Sequence, residues 1–342
     1  MAKKSFILRK KNNKIAVFGG GLWGTVLAQH LSRGADRSVW LWEHFAEAAL
    51  ALAASRKHPH LPDFLLSDGV RVTSTLAEAV TDARVLLFVL PSQFIRRTAA
   101  AVHRLKPLPE AAMINASKGI EPGTLLTLSG VIGQELPGHR GRLFALSGPS
   151  FAREVARGKE TAMVLAGPAG AERASLRRTL EGVAVRVEES SDRIGVELGG
   201  SLKNVLAIGC GMLDGLRCGA NTKAAFVAHG LAEMAALAVK AGGKAATIYG
   251  LAGLGDLGAT GTSPESRNRA FGEKLGQGKT LTQALGEIPT VVEGIEASAS
   301  ARALARKLRV STPLMDGVWK IVHGSSEPSA LVAGMGFRAR ES

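Results

Sequence analysis

Three groups of residues in this chain have the types and spacing to do chemistry. The first centres on Lys203, within Gly199-Gly200-Ser201-Leu202-Lys203-Asn204-Val205, where its neighbours are mostly small or apolar. An ammonium on a buried helix is costly unless it has a partner or a task. A lysine with a lowered pKa can protonate a carbonyl oxygen as a general acid; the competing reading is a lysine that snorkels from a helix edge. The second group is Gly253-Leu254-Gly255-Asp256-Leu257, followed by Ser266-Arg267-Asn268-Arg269. Arginine offers forked donors to a phosphate, and serine and asparagine add neutral ones; the alternative is a helix start with an exposed basic face. The third is Gly19-Gly20-Gly21-Leu22-Trp23-Gly24, a G-x-G-x-x-G run. In such a run Gly19 makes the tight turn, Gly21 admits a pyrophosphate to the backbone, and Gly24 lets helix and strand pack closely. Amides at the following helix N-terminus then face the phosphates.

These groups need elements to hold them. Residues 14–19 read as a short buried strand ending in the glycines, and from Gly24 the pattern turns helical through Val26, Leu27 and Leu31. Residues 38–42 form a second strand, and Glu43 lies at its end, nineteen residues beyond Gly24. A carboxylate there can accept hydrogen bonds from an adenine ribose and so favour NAD. His44 and Arg37 nearby can offset its repulsion of a 2′-phosphate, and a solvated strand-end glutamate is an equal reading, so NAD against NADP stays open. Further strands are expected at 71–73, 84–90, 112–115, 143–146 and 161–165, separated by helical stretches. Beyond Ile194 the chain becomes rich in alanine and leucine, with helices expected at 195–209, 225–240, 264–275, 282–285, 294–308 and 313–322. Phe226, Gly230, Met234 and Leu237 share one face of the second of these. The fold class is therefore α/β: an N-terminal Rossmann-like doubly wound sheet over 14–190, then an all-α domain over 191–335. Residues 1–13 and 336–342 read as tails.

Composition narrows the function. The chain has 342 residues, 46% hydrophobic, and 41 glycines without a collagen-like period, which places glycine where turns and close backbone approach are needed. Net charge is +14, and Lys3, Lys4, Arg9, Lys10, Lys11 and Lys14 crowd its start. With a single tyrosine the chain lacks the basic and aromatic interleaving of single-strand binders. A phosphorylated metabolite fits the charge better than nucleic acid, and a solvated basic surface also fits. Cys210 and Cys218 give neither a disulfide framework nor a metal site, and read as two buried thiols. No apolar run approaches the ~20 residues of a membrane span, and the apolar stretch 6–8 is too short for a secretory signal. The expectation is a cytoplasmic protein without stable membrane insertion.

Together these segments are recognisable. The chain resembles the NAD(P)-dependent glycerol-3-phosphate dehydrogenases of bacterial type, from about residue 15 to 325. Besides the segments above, the resemblance rests on Leu61-Pro62-Asp63, Val89-Leu90-Pro91-Ser92-Gln93, Ser117-Lys118-Gly119-Ile120-Glu121 and Ser147-Gly148-Pro149-Ser150-Phe151-Ala152. It continues through Gly219-Ala220-Asn221-Thr222 and Val291-Val292-Glu293-Gly294. The resemblance implies hydride transfer between NAD or NADP and C2 of a three-carbon phosphate, interconverting dihydroxyacetone phosphate and sn-glycerol 3-phosphate for phospholipid synthesis. It implies that Lys203 is the acid/base and that Asp256 orients it in the substrate site. Lys118, Gly148, Ser150, Ser266, Arg267 and Asn268 match substrate contacts. Trp23, His44, Lys118, Ala152, Arg267, Val291 and Glu293 match cofactor contacts, beside Gly19, Gly21, Gly24 and Glu43. No metal is implied, and a homodimer is suggested. Leu22 stands where the family usually carries serine, Thr260-Gly261 replaces its Thr-Cys, and Glu43 occupies a position that is often small and neutral. A related reductase such as a ketopantoate-type enzyme is expected to lack the Ser-Arg-Asn-Arg segment.

Overall fold

The computed structural model describes residues 13–34, 36–288 and 291–336. The basic start to residue 12, and the end beyond 336, lie outside the described residues. The chain divides into two compact units, the first built mainly from residues up to 115 and the second mainly from 144 onward. The short segments 91–93 and 116–131 belong to the second unit and 132–143 to the first.

The first unit holds five parallel strands: β1 (Asn13–Phe18), β2 (Arg37–Trp42), β3 (Val70–Thr73), β4 (Val85–Phe88) and β5 (Ala112–Asn115). Their order is β3-β2-β1-β4-β5, so the chain reverses direction across the sheet on either side of β1. That reversal makes the carboxyl ends of β1 and β4 a ligand crevice. From Ile15 to Phe18 no residue is more than 3% exposed, as expected of a parallel strand covered on both faces. An antiparallel hairpin, Lys57–His58 with Leu61–Leu65, was not foreseen from the sequence, because its residues do not alternate in hydrophobicity.

The second unit opens on β6 (Leu143–Ser147), β7 (Thr161–Ala166) and β8 (Val185–Ser190). β7 is antiparallel to β6 and parallel to β8. β8 is absent from the strands expected from sequence, although Val185-Arg186-Val187-Glu188 alternates as a half-buried strand does, burying only its valines. Helices follow: α2 (Arg193–Gly215), α3 (Ala220–Lys240), α4 (Asp256–Thr262), α5 (Arg267–Gly276), α6 (Glu293–Leu308) and α7 (Pro313–Val322). α2 is the axis of this unit, buried along nearly its whole length.

Glycines set how closely α5 lies on α2. A Cβ on Gly211 would meet the Arg269 carbonyl oxygen at 1.9 Å, and one on Gly272 the Ile208 carbonyl oxygen at 1.9 Å. Gly215 and Gly276, one turn on, face Glu273 and Met212 carbonyls at 2.2 Å each. Each helix thus presents glycines four residues apart, and the two backbones touch. α3 is, among the described residues, a helix long and apolar enough to cross a membrane by length and hydropathy. Its apolar sequence is not continuous, because Lys223 and Glu233 interrupt an alanine-rich stretch. Phe226, Met234 and Leu237 of α3 are fully buried in the helical core, and Glu233 accepts hydrogen bonds from the amides of Leu314 and Met315 at the start of α7 (2.7 and 3.0 Å).

Candidate active site

The glycine loop follows β1 and precedes α1 (Leu22–Ser32). Gly19 has φ +117°, a region that side chains rarely adopt, and a Cβ there would lie 2.2 Å from the Val89 carbonyl oxygen. A Cβ on Gly24 would lie 1.9 Å from the Gly19 carbonyl oxygen, which fixes the close packing of α1 on β1. Gly21 faces open space. It is also the N-cap of α1 and brings no side-chain cap, and the first turn of α1 holds no acidic residue. The three glycines therefore do what a pyrophosphate site requires: a turn, a packing contact and an uncovered helix N-terminus for an anion. Trp23 is half-buried, and His44 is exposed with its ring edge-on to Trp42 and Phe45. Glu43 reaches back to the loop, accepting the Gly20 amide on Oε2 and the Phe45 amide on Oε1, each at 3.0 Å. Arg37 begins β2 and donates to the Leu31 carbonyl (3.4 Å), six residues and about 20 Å of extended chain from Glu43. The offset expected from Arg37 is therefore ruled out by where the strand starts.

The second unit gathers the charged cluster. Lys203 is 5% exposed in the middle of α2, and its ammonium donates to Asp256 Oδ1 at 2.8 Å and to Thr260 Oγ1 at 2.5 Å. Asp256, 2% exposed, starts α4 directly after a single π-helical turn, Leu251–Gly255. Its other oxygen, Oδ2, accepts from Lys118 Nζ at 2.5 Å. One buried carboxylate thus stands between two ammoniums. Burial alone would raise the Asp256 carboxyl, but Lys118 and Lys203 together hold it below the usual carboxylate range. Burial drives the Lys203 ammonium the other way, down to about 8, with Asp256 resisting and Lys118 assisting. A snorkelling lysine is excluded: this one is enclosed, ion-paired and acidic enough to exchange a proton near neutral pH.

Backbone approach positions this cluster. Gly199 lets the Ala252 carbonyl of the π-turn come close, since a Cβ there would stand 2.7 Å from it. Gly200 does the same for Ser147 at the end of β6 (2.4 Å to Oγ) and leaves room for Lys118. Ser147 Oγ is buried with no hydrogen-bond partner among the described residues. Ser201 accepts the Gly119 amide at 2.8 Å and donates to the Glu197 carbonyl at 2.7 Å, so α2 fixes the loop that carries Lys118. Lys118 also reaches the Gly148 carbonyl (3.5 Å), and Ser150 donates to the same oxygen (3.0 Å). A cleft of about 180 Å³ lies beside Ser150, lined by Pro149, Phe151, Thr161 and Ala259, and neither Lys203 nor Asp256 borders it. Ala152, buried, starts the short helix Ala152–Ala156 that follows.

Ser266 caps α5 by accepting the Arg269 amide (3.2 Å), and Arg267 lies exposed in the first turn. An exposed arginine in the first turn of a helix suits a phosphate. Asn268 is used differently from a simple ligand contact. Its amide donates to Asn204 Oδ1 (2.9 Å) and accepts from the Gly294 amide (3.0 Å), tying α5 to α2 and to the start of α6. Glu293 opens α6 and is exposed, as is Val291, and its charge reaches Lys203. Thr260, Ser201 and Ser147 were missed as site residues. Thr260 had a readable signal: it stands four residues after Asp256, hence on the same helical face. Ser147 and Ser201 depend on tertiary approach and had none. Cys210 is buried and its thiol is pushed up to about 12 by burial, while Cys218 is only half-buried; the two form no disulfide.

Known proteins resemble this chain over most of its length. Residues 14–172 match the model of the NAD-dependent glycerol-3-phosphate dehydrogenase N-terminus, and residues 192–333 that of its C-terminus. A glycerol-3-phosphate dehydrogenase [NAD(P)+] of Geobacter sp. (strain M21) is 43% identical over 315 residues, covering 91% of this chain and 93% of that protein. The crystal structure of glycerol-3-phosphate dehydrogenase from Coxiella burnetii superposes with a TM-score of 0.89 at 34% identity, over 96% of this chain and 99% of that one. The yeast glycerol-3-phosphate dehydrogenase structure shares the fold, with a TM-score of 0.82 at 24% identity over 95% of this chain and 99% of that one. The chain belongs to the NAD-dependent glycerol-3-phosphate dehydrogenase family.

Proposed function

We propose that this protein interconverts dihydroxyacetone phosphate and sn-glycerol 3-phosphate with NAD(H) or NADP(H), supplying glycerol phosphate for phospholipid synthesis. The observation that carries the reading is Lys203, enclosed and paired to Asp256, with a proton it can release near pH 8. When bound, the nicotinamide gives a hydride to C2 of the ketone or takes one from the alcohol. Lys203 protonates the C2 oxygen as negative charge develops there, and removes that proton in the reverse direction. Asp256 fixes the ammonium, and Thr260 holds it from a second side. Arg267 takes the substrate phosphate at the start of α5, so that phosphate binding positions the reacting carbon. Lys118, Gly148 and Ser150 complete the substrate side. Ser266 and Asn268, whose side chains hold the α5 and α6 starts, contribute by shaping that helix end.

The cofactor contacts in this reading are the glycine loop, Trp23, Glu43, His44, Lys118, Ala152, Arg267, Val291 and Glu293. Support comes from the uncovered α1 N-terminus and from family membership. A domain boundary near residue 190 belongs to the same proposal, and the gap between the two family matches supports it, although by packing the strands from residue 144 onward group with the helical unit. A homodimer in the cytoplasm, with no nucleic-acid partner and no stable membrane insertion, belongs to the same proposal and rests on the resemblance. The test is steady-state kinetics of Arg267→Ala. Losing a charge-assisted contact worth ~1.5–3 kcal/mol should raise KM for dihydroxyacetone phosphate by about tenfold or more. An unchanged KM would remove Arg267 from the phosphate site.

A further inference from the structure

At the adenine end of the glycine loop a glycine and a glutamate meet. Gly20, the variable position of the G-x-G-x-x-G run, is a glycine whose absent Cβ makes room for Glu43. A Cβ there would stand 2.6 Å from Glu43 Oε2 and 3.0 Å from Glu43 Cβ. The carboxylate is not loose in solvent. Each of its oxygens accepts one backbone amide, Gly20 on Oε2 and Phe45 on Oε1, both at 3.0 Å. Two amides therefore hold a full negative charge at the carboxyl end of β2, against the turn that leads into α1. A carboxylate has about four acceptor positions, so one on each oxygen stays available for two hydroxyls.

Among the described residues Glu43 forms no ion pair. His44 next to it is exposed and packs against Trp42 and Phe45. Arg37 belongs to the opposite end of β2. On the adjoining β3, paired in register Trp42 with Thr73, the Thr73 hydroxyl donates to Glu78 Oε2 at 2.6 Å, which places a second carboxylate at the same sheet end.

We infer that Gly20 and Glu43 together form a cofactor-selecting latch. The pinned carboxylate accepts the adenine-ribose diol of NAD(H) and repels the 2′-phosphate of NADP(H), and Gly20 is the residue that allows it to sit there. This rests on the dehydrogenase reading of the loop and sharpens it from either nicotinamide cofactor to NAD(H).

The test is direct titration of the full-length protein with NADH and with NADPH, followed by intrinsic tryptophan fluorescence, for the wild type, Glu43→Gln and Gly20→Ala. The wild type should bind NADH at least about tenfold more tightly than NADPH, since the carboxylate and a 2′-phosphate beside it carry like charges. Glu43→Gln keeps the shape and removes the charge, and should improve NADPH binding by about tenfold while weakening NADH binding. Gly20→Ala, which leaves the charge in the chain but displaces it, should narrow the NADH-to-NADPH ratio in the same direction. Equal or tighter NADPH binding by the wild type, or an unchanged ratio in both variants, would overturn the latch and leave the dehydrogenase reading standing. Binding of neither cofactor by folded wild type would overturn the dinucleotide reading itself, and the latch with it.

Discussion

At the residue scale the site is a problem of two ammoniums around one carboxylate. Asp256 must neutralise Lys203 and Lys118 at once, and both amines use a different oxygen. Removing the carboxylate charge should be severe: breaking a buried pair costs ~3–5 kcal/mol and leaves two ammoniums facing each other. For Asp256→Asn the expected outcome is a drop in Tm. Any residual reductase activity should also have its alkaline limb moved to lower pH, because the group that raises the Lys203 pKa is gone. A limb that stays in place would mean that Lys203 is not the titrating acid. Thr260→Val should act on the same ammonium more mildly. Losing one hydroxyl acceptor should lower kcat with little change in KM for the phosphate, measured by initial rates. Lys203 could be singled out from sequence because an ammonium among apolar neighbours demands a partner. Its partner could be guessed, but Lys118 as the second claimant could not, since 138 residues separate it from Asp256.

At the element scale, glycine does the positioning. The start of α5 can stand near Lys203 only because Gly211 and Gly215 of α2 meet Gly272 and Gly276 of α5 backbone to backbone. Gly211→Ala would drive a methyl into a main-chain carbonyl that has no flexible end to swing away. Overpacking of this kind costs ~1–3 kcal/mol or more, so a fall in Tm by several degrees is expected. KM for dihydroxyacetone phosphate should rise with it, because the α5 start moves relative to α2. A normal Tm would show that the helices have slack. Glu233→Ala should lower stability by ~1–3 kcal/mol with no direct effect on chemistry, as it strands the buried amides of Leu314 and Met315; equilibrium urea unfolding reads this. The excess of glycine was visible in composition, and its use at turns and close approaches was expected. Which glycines face which was not, because spacing of four residues says nothing about the partner helix. The strands of the first unit were legible because buried parallel strands are uninterrupted apolar runs; β8 and the Lys57–Leu65 hairpin lack that signature.

At the scale of the whole molecule, one unit carries a nucleotide loop and the other an acid/base cluster, and each could be found in the sequence by its own local logic. The chemistry that links them could not, and entered through family resemblance. The most direct test of the central claim, that Lys203 is the proton donor to the substrate oxygen, is the pH dependence of dihydroxyacetone phosphate reduction in wild type and Lys203→Met. A lysine acid must be protonated to act, so reduction by the wild type should fall as pH rises through about 8, and oxidation of sn-glycerol 3-phosphate should rise over the same range. Lys203→Met, with a side chain of similar length, should lose ~10²–10⁴ in kcat and lose that pH transition, while still binding cofactor. A Lys203→Met enzyme with near wild-type kcat, or one that kept the same transition, would contradict the account.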